Sequence, residues 1–77
     1  MIIKEFKPVK NKIVKKLQLK PVYINNDDFD YIVKLCGYDY ADILEFFNNY
    51  NLFEGGTEEE HFYIAQNKDN KSLYMWH

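Results

Sequence analysis

The stretch LCGYDYADILEFF, residues 35–47, has the pattern of a turn between two short helices. Gly37 suits the left-handed backbone position just past the end of the first helix. Asp39 is a typical N-cap for the second helix, and Asp42, three residues later, completes a variant of the capping box. This stretch therefore predicts a helix–turn–helix unit near the middle of the chain.

The residues before the turn predict the first helix of this unit. Asn25 or Asn26 caps the helix, and the two aspartates that follow are favourably placed near the positive end of its dipole. Its apolar stripe, with spacings of three and four residues, consists of Phe29, Ile32, Val33 and Cys36. Residues 21–24 predict a brief strand, and residues 1–6 predict a short strand or an extended arm.

An earlier helix is predicted to begin at Pro8, because proline is well tolerated in the first turn of a helix. Pro21 ends it. One side of this helix is apolar and the other is basic. The apolar stripe consists of Val9, Ile13, Val14 and Leu17. The basic side consists of Lys10, Lys12, Lys15 and Lys16.

The residues after the turn predict a helix and a β-hairpin. The apolar stripe of the helix consists of Tyr40, Ile43, Leu44, Phe47 and Tyr50. EGGT at 54–57 indicates a turn, and residues 61–66 and 71–77 flank a second turn, NKDN, in a pattern typical of a hairpin. If Gln66 faces Lys71, the core face of the hairpin consists of Phe62, Ile64, Leu73 and Met75. The outer face then consists of His61, Tyr63, Tyr74 and Trp76.

Together these elements predict a small α+β domain that resembles a winged helix. The order is helix, short strand, helix, turn, helix and two-stranded wing. The five positions that such units keep apolar are Ile32, Cys36, Tyr38, Ile43 and Phe46. Val33 departs from the pattern, since a small residue there normally lets the helices approach closely. Residues 1–77 are thus predicted to be one winged-helix-like domain with three short helices, a C-terminal β-hairpin and a short extra strand.

Size and composition narrow the class of protein. Seventy-seven residues suffice for one domain with a modest core. A single cysteine excludes an internal disulfide and suits a reducing cytosol. No apolar stretch approaches the roughly 20 residues needed to span a membrane, so we expect a soluble, cytoplasmic protein.

The charges are divided unevenly along the chain. Residues 1–20 hold seven lysines and one glutamate, whereas residues 21–77 hold three lysines and eleven acidic residues. This division predicts distinct faces for distinct contacts; the alternative is that the two parts attract each other within the fold. Arginine is absent, so the chain lacks the bidentate fork preferred for guanine edges and phosphates.

Signals for catalysis and metal binding are poor. Cys36 lies on the predicted apolar helix face, which indicates a buried structural thiol rather than a nucleophile. Asn26, Asp28 and Asp30 match the first three ligand positions of a calcium loop, but the glycine required next is Tyr31. We therefore predict a protein that is not an enzyme, with no catalytic residue, metal site or cofactor.

Two binding functions remain. DNA reading by a winged helix requires cations on the recognition helix, where this chain has Asp39, Asp42 and Glu45. The preferred hypothesis is a protein-interaction module whose acidic face docks on a basic surface of another protein. The predicted partner-binding residues are Asp39, Asp42, Glu45, Glu58, Glu59, Glu60, Tyr63, Tyr74 and Trp76.

The size, composition and charge suit a phage or mobile-element inhibitor of the anti-CRISPR or anti-restriction type. Such proteins occupy a host nuclease or polymerase where nucleic acid would lie, and spaced carboxylates can imitate phosphates. The aromatic hairpin face predicts an interface, including a homodimer, or else coverage by residues 1–6 of the same chain. The alternative function is a winged-helix DNA-binding transcriptional regulator that uses the lysine-rich first helix. A third reading is an acidic face that is merely solvated.

Overall fold

In the computed structural model, which describes residues 1–77, the protein is built around a five-stranded antiparallel sheet. The helices are α1 (Asn11–Val14), α2 (Asp27–Leu35) and α3 (Tyr40–Asn49), preceded by a 3-10 turn at Ile2–Glu5. The strands are β1 (Lys7–Pro8), β2 (Lys20–Val22), β3 (Tyr50–Gly56), β4 (His61–Asn67) and β5 (Leu73–Trp76), in the spatial order β1-β5-β4-β3-β2. The prediction of a small α+β domain with three helices is confirmed, whereas the winged-helix arrangement is not. No helix has the length and apolar character needed to cross a membrane.

The turn between α2 and α3 forms as its local signals predict. Asn26 caps α2, with its Oδ1 accepting a hydrogen bond from the Phe29 N–H at 2.9 Å. Gly37 has a φ of +96°, in the region that favours glycine. Asp39 and Asp42 form a reciprocal capping box at the start of α3, with both hydrogen bonds at 3.0 Å.

The main core lies between α2, α3 and one face of the sheet. Phe29 is fully buried at its centre, where its ring contacts Phe46 and Tyr63 with centroids 5.7 and 5.2 Å apart. Its other buried members are Ile2, Phe6, Val22, Val33, Ile43, Leu52 and Ala65. Cys36, predicted to be buried, is exposed, because it caps the C-terminal end of α2 and lies beyond the last core-facing turn.

Strand β3 was not predicted. It includes Gly55 and Gly56, which the sequence analysis assigned to a turn, and Tyr50, assigned to the apolar stripe of α3. It lies inside the sheet, paired with β2 on one side and with β4 along its whole length on the other. Hydrogen bonds to two neighbouring strands therefore outweigh the low strand propensity of its Asn and Gly residues.

The β4–β5 hairpin is present, but its register differs from the predicted one by two residues. Ile64 pairs with Met75, and Tyr63 pairs with Trp76. The turn has shifted along the chain by one residue because the Asn67 Oδ1 accepts hydrogen bonds from the backbone of the turn, and Lys71 has a φ of +65°. A shift of two leaves each side chain on the same face as its predicted neighbours.

The two hairpin faces are nevertheless reversed relative to the core. Tyr63 is 3% exposed and belongs to the main core, and Tyr74 and Trp76 pack against it. Phe6 is buried and lies over Trp76, with ring centroids 5.5 Å apart. The prediction of an exposed aromatic face is therefore wrong for Tyr63, which Phe29 of α2 contacts. Residues 1–6 cover part of this face, through the contact of Phe6 with the half-buried Trp76.

The predicted first helix is reduced to the single turn of α1. Pro8 lies in β1 opposite Tyr74, and the next residue, Val9, donates its N–H to the Leu73 carbonyl. Strand pairing at the sheet edge thus replaces the helical hydrogen bonds that this segment would otherwise form. Val14 and Ile64 are the two buried side chains outside the main core, which indicates a second small apolar layer on the reverse face of the sheet.

Candidate protein-interaction surface

The outward side of α2 and α3, here called the α2–α3 face, exposes large apolar side chains. The Phe29 ring of α2 contacts Phe46 and Phe47 of α3, so the two helices pack against each other at this point. Four of the seven exposed large apolar residues of the protein lie on these helices: Tyr31 (65% exposed), Leu35 (69%), Tyr40 (51%) and Leu44 (41%). Large exposed apolar patches on small domains commonly mark interaction sites.

Helical spacing arranges these side chains in two rows. Asp27, Tyr31 and Leu35 are separated by four residues and share one side of α2. Tyr40 and Leu44 have the same spacing on α3. The face therefore places apolar side chains and carboxylates together, rather than in separate zones.

The α2–α3 face is also strongly acidic. Residues 27–49 contain six acidic residues and one lysine, Lys34. Nothing in the fold neutralises these carboxylates, because the protein's one ion pair joins His61 and Glu54 at 3.2 Å. No lysine forms an ion pair with an acidic side chain, so attraction between the two parts of the chain does not take the form of salt bridges.

The three predicted binding residues of α3 have different surroundings. Asp39 and Asp42 hydrogen-bond to each other's backbone N–H, so the helix cap accounts for both of them. The Glu45 carboxylate is exposed and has no hydrogen-bond partner in the chain. Glu45, Asp27 and Asp28 are thus the carboxylates of α2 and α3 that are exposed and free of a capping role.

The predicted acidic residues Glu58, Glu59 and Glu60 lie elsewhere, in the turn between β3 and β4. Glu60 lines a surface hollow together with Ile13 and Leu17. The structure therefore brings this acidic turn beside the lysine-rich segment, and we find no contact that joins it to α3.

The remaining predicted binding residues, Tyr63, Tyr74 and Trp76, are part of the core packing described above. Tyr63 is held away from solvent, and burial, followed by the charges of Glu54 and Asp28, raises its pKa to about 12. A homodimer through the hairpin consequently lacks the exposed aromatic face on which that prediction depended.

An open groove, not predicted from the sequence, adjoins the α2–α3 face. It has a volume of about 490 Å³ and is lined mainly by apolar residues, including Tyr23, Ile24 and Phe47. Leu44 belongs both to the groove wall and to the exposed row of α3. The apolar stripe of α3 was a usable signal for this surface, but the stripe alone does not show which of its members remain uncovered.

Cys36, although exposed, lies in surroundings that raise the pKa of its thiol. Partial desolvation, then the negative charge of Glu5 and a hydrogen bond to it, raise the pKa of this thiol. A thiol with a raised pKa is a poor nucleophile near neutral pH. The raised pKa lowers the fraction of Cys36 present as the reactive thiolate.

Both edges of the sheet are protected against strand addition. The edge strands β1 and β2 have two and three residues, and each contains a proline, Pro8 or Pro21. Short edges with proline offer few free backbone donors to a partner strand. β3 extends beyond its pairing with β2 at Tyr50. The Tyr50 N–H is not free for a partner strand, because it donates to the Phe46 carbonyl.

No protein-family model matches the chain, and neither a curated protein nor a solved structure matches it.

Proposed function

We propose that this protein is a non-enzymatic interaction module whose α2–α3 face docks on a basic surface of a partner protein. The observation that supports this most directly is the coexistence of four exposed large apolar side chains with unpaired carboxylates on two adjacent helices. Hydrophobic contact supplies affinity, and the carboxylates supply steering and selection for a basic partner.

The apolar side chains are sufficient for a specific contact. Full burial of a side chain such as Leu35 stabilises a complex by about 1.5–3 kcal/mol before entropic costs. Four such groups, with the adjoining groove as a further apolar contact, are compatible with a small interface anchored by a few residues. Partner binding should therefore depend on Leu35 and Leu44 at least as strongly as on any single carboxylate.

The mode of docking follows from the protected sheet edges. Since Pro8 and Pro21 interrupt both edge strands, a partner gains little by extending the sheet. Side chains of α2 and α3 are then the available recognition elements, and they suit a partner surface with apolar hollows bordered by lysine or arginine.

A host nucleic-acid-handling protein, such as a nuclease or polymerase, has the required basic surface. In this proposal the carboxylates of α2 and α3 occupy positions that phosphates would take, as in phage or mobile-element inhibitors of the anti-CRISPR or anti-restriction type. Competition between this protein and nucleic acid for the partner is the resulting mechanism of inhibition.

A winged-helix DNA-binding regulator that uses the lysine-rich first helix is the competing proposal. That helix is only the single turn of α1, and two further observations disfavour reading of a DNA groove by α3 or by the hairpin. The exposed side of α3 presents Glu45 and no lysine to a groove lined with phosphates. The β4–β5 hairpin is not a free wing, since both strands lie inside the sheet and Lys68 in its turn donates to the Phe47 carbonyl at 2.8 Å.

The proposal is tested by quantitative affinity capture from lysate of the source cells, followed by titration with the purified partner. The double variant Leu35→Ser/Leu44→Ser should lose the partner, and Glu45→Lys should weaken it and reduce the salt dependence of association. The matched controls are Ile13→Ser and Lys12→Glu, which are exposed changes outside the α2–α3 face.

Circular dichroism must show that each variant keeps the parent's helix content. If the two control changes remove the partner while the α2–α3 changes leave its affinity intact, the proposed face is wrong. If nucleic acid does not compete for the captured partner, the inhibitor mechanism is wrong even though the interaction surface stands.

A further inference from the structure

The segment that joins the two edges of the sheet carries a dense set of exposed lysines. Residues 7–16, here called the lysine segment, contain no acidic residue. Its lysines are Lys7, Lys10, Lys12, Lys15 and Lys16, all of them exposed and none in an ion pair. Five unpaired cations in ten residues create a positive potential that nothing within the segment offsets.

This segment lies on the face of the sheet opposite α2 and α3. Ile13 and Leu17 border a hollow together with Phe62 and Met75. Met75 pairs with Ile64, so the two side chains share one face of the sheet. The neighbouring Tyr63 faces the main core, so Met75 and Ile64 lie on the opposite face. The lysine segment and the α2–α3 face are thus separated by the sheet and can contact different molecules.

The density of the lysines matches that of a nucleic-acid backbone. The segment connects β1 to β2, which are four strand spacings or about 19 Å apart. The connecting chain, residues 7–20, carries six exposed lysines, an average of about one cation per 3 Å of this distance, comparable to the one phosphate per about 3.4 Å of axis on each strand of duplex DNA.

We propose that the lysine segment binds the phosphate backbone of duplex nucleic acid without reading its sequence. Lysine contacts phosphate as a point charge, and the chain has no arginine to recognise guanine edges. Residues 7–20 also contain no aromatic side chain on which an unpaired base could stack. Backbone contact is therefore the interaction that this chemistry provides, and it does not depend on the function proposed for the α2–α3 face.

The acidic turn of Glu58, Glu59 and Glu60 opposes this contact. Glu60 lines the same hollow as Ile13 and Leu17, so the acidic turn lies near the lysine segment. The turn should repel phosphates and keep the affinity low. This placement allows a test in which the position of a charge, rather than the net charge of the protein, decides the result.

The experiment titrates a fluorescein-labelled short DNA duplex with the intact protein and follows anisotropy over a range of salt. With five phosphate contacts, the logarithm of the association constant should fall by about 4 to 5 per tenfold rise in salt. Lys12→Gln/Lys15→Gln/Lys16→Gln should reduce this slope by about 3. Lys34→Gln, on the opposite face, should leave the slope unchanged.

A second pair of variants compares equal changes of net charge on the two faces. Glu59→Gln/Glu60→Gln should tighten duplex binding several-fold, because it removes repulsion beside the lysine segment. Asp27→Asn/Glu45→Gln changes the net charge equally and should have a much smaller effect. Equal tightening by both pairs would show a response to net charge alone and would overturn the proposed surface.

Three further results would overturn the proposal. One is no measurable duplex binding at about 50 mM salt, where weak electrostatic contacts are still strong. Another is a salt slope that the three lysine changes do not alter. The third is tighter binding to poly-L-glutamate or to phosphatidylserine vesicles than to the duplex, which would assign the segment to an acidic protein or a membrane surface instead. None of these results bears on the α2–α3 face.

Discussion

Substitution of Gly37 tests the turn that positions α2 against α3. The residue has a φ of +96°, and a Cβ placed there would meet no atom within 4 Å. Any loss of stability on substitution must therefore come from the backbone conformation rather than from a clash. The variants to compare are Gly37→Ala, Gly37→Asn and Gly37→Val.

The expected magnitude follows from two opposing effects. A left-handed conformation costs an L-residue roughly 1–2 kcal/mol, whereas replacing glycine restricts the unfolded chain and returns about 0.4–1 kcal/mol. Alanine should thus lower the free energy of unfolding by about 1 kcal/mol. Valine should lower it more because of its β-branch, and asparagine less because it tolerates positive φ.

Thermal and urea unfolding followed by circular dichroism measure this series. For a domain of this size, a loss of 1 kcal/mol lowers the Tm by about 4–8 °C. The order of stability should be parent, asparagine, alanine, valine. If alanine and valine unfold at the parent's midpoint, Gly37 does not adopt positive φ in solution and the placement of the α2–α3 turn is wrong.

Three further predictions concern the core and the helix cap. Trp76 should fluoresce with a blue-shifted maximum in the dilute monomer, and Phe6→Ala should increase its quenching by acrylamide, because the Phe6 ring covers it; equal quenching in both proteins would contradict that packing. The pKa of Tyr63 is raised from the ordinary tyrosine value of 10.0 to about 12 in the folded protein. The unfolded chain therefore loses the Tyr63 proton at a lower pH than the folded protein, and the free energy of unfolding should fall as the pH rises through this range. Tyr63→Phe should remove that part of the alkaline decline in urea unfolding, and an unchanged pH profile would refute the assignment. Asp42→Lys should lower the free energy of unfolding by about 0.5–2 kcal/mol because it breaks the capping box, whereas Glu45→Lys should change it little; thermal unfolding of both variants measures the difference.

The α2–α3 turn could be predicted from the sequence because its determinants are local. The Asn26 cap and the capping box of Asp39 and Asp42 each join residues three apart in the chain. Gly37 likewise satisfies a backbone requirement at its own position. Such interactions form in the same way whatever the rest of the chain does, so a pattern of a few residues is sufficient evidence for them.

The sheet could not be predicted in the same way, because its stability comes from partners far along the chain. β3 contains Asn51, Gly55 and Gly56 and has a weak strand pattern, yet β2 and β4 hold it on both sides. The same is true of Pro8, where the edge pairing of β1 with β5 replaces the start of a helix. In each place a non-local hydrogen-bond network outweighs the local preference.

The candidate surface likewise has features that the sequence predicts and features that depend on tertiary packing. Composition and helical spacing were enough to predict that α3 carries carboxylates without a basic partner, and Glu45 is exposed as expected. Which apolar residues stay uncovered depends on what packs over each face. Phe29 of α2 packs on Tyr63 and Phe6 packs on Trp76, so Tyr63 is buried and Trp76 half-buried, while no element covers Leu35 or Leu44. An aromatic stripe predicts burial against some neighbour, and tertiary packing alone determines whether that neighbour belongs to the same chain.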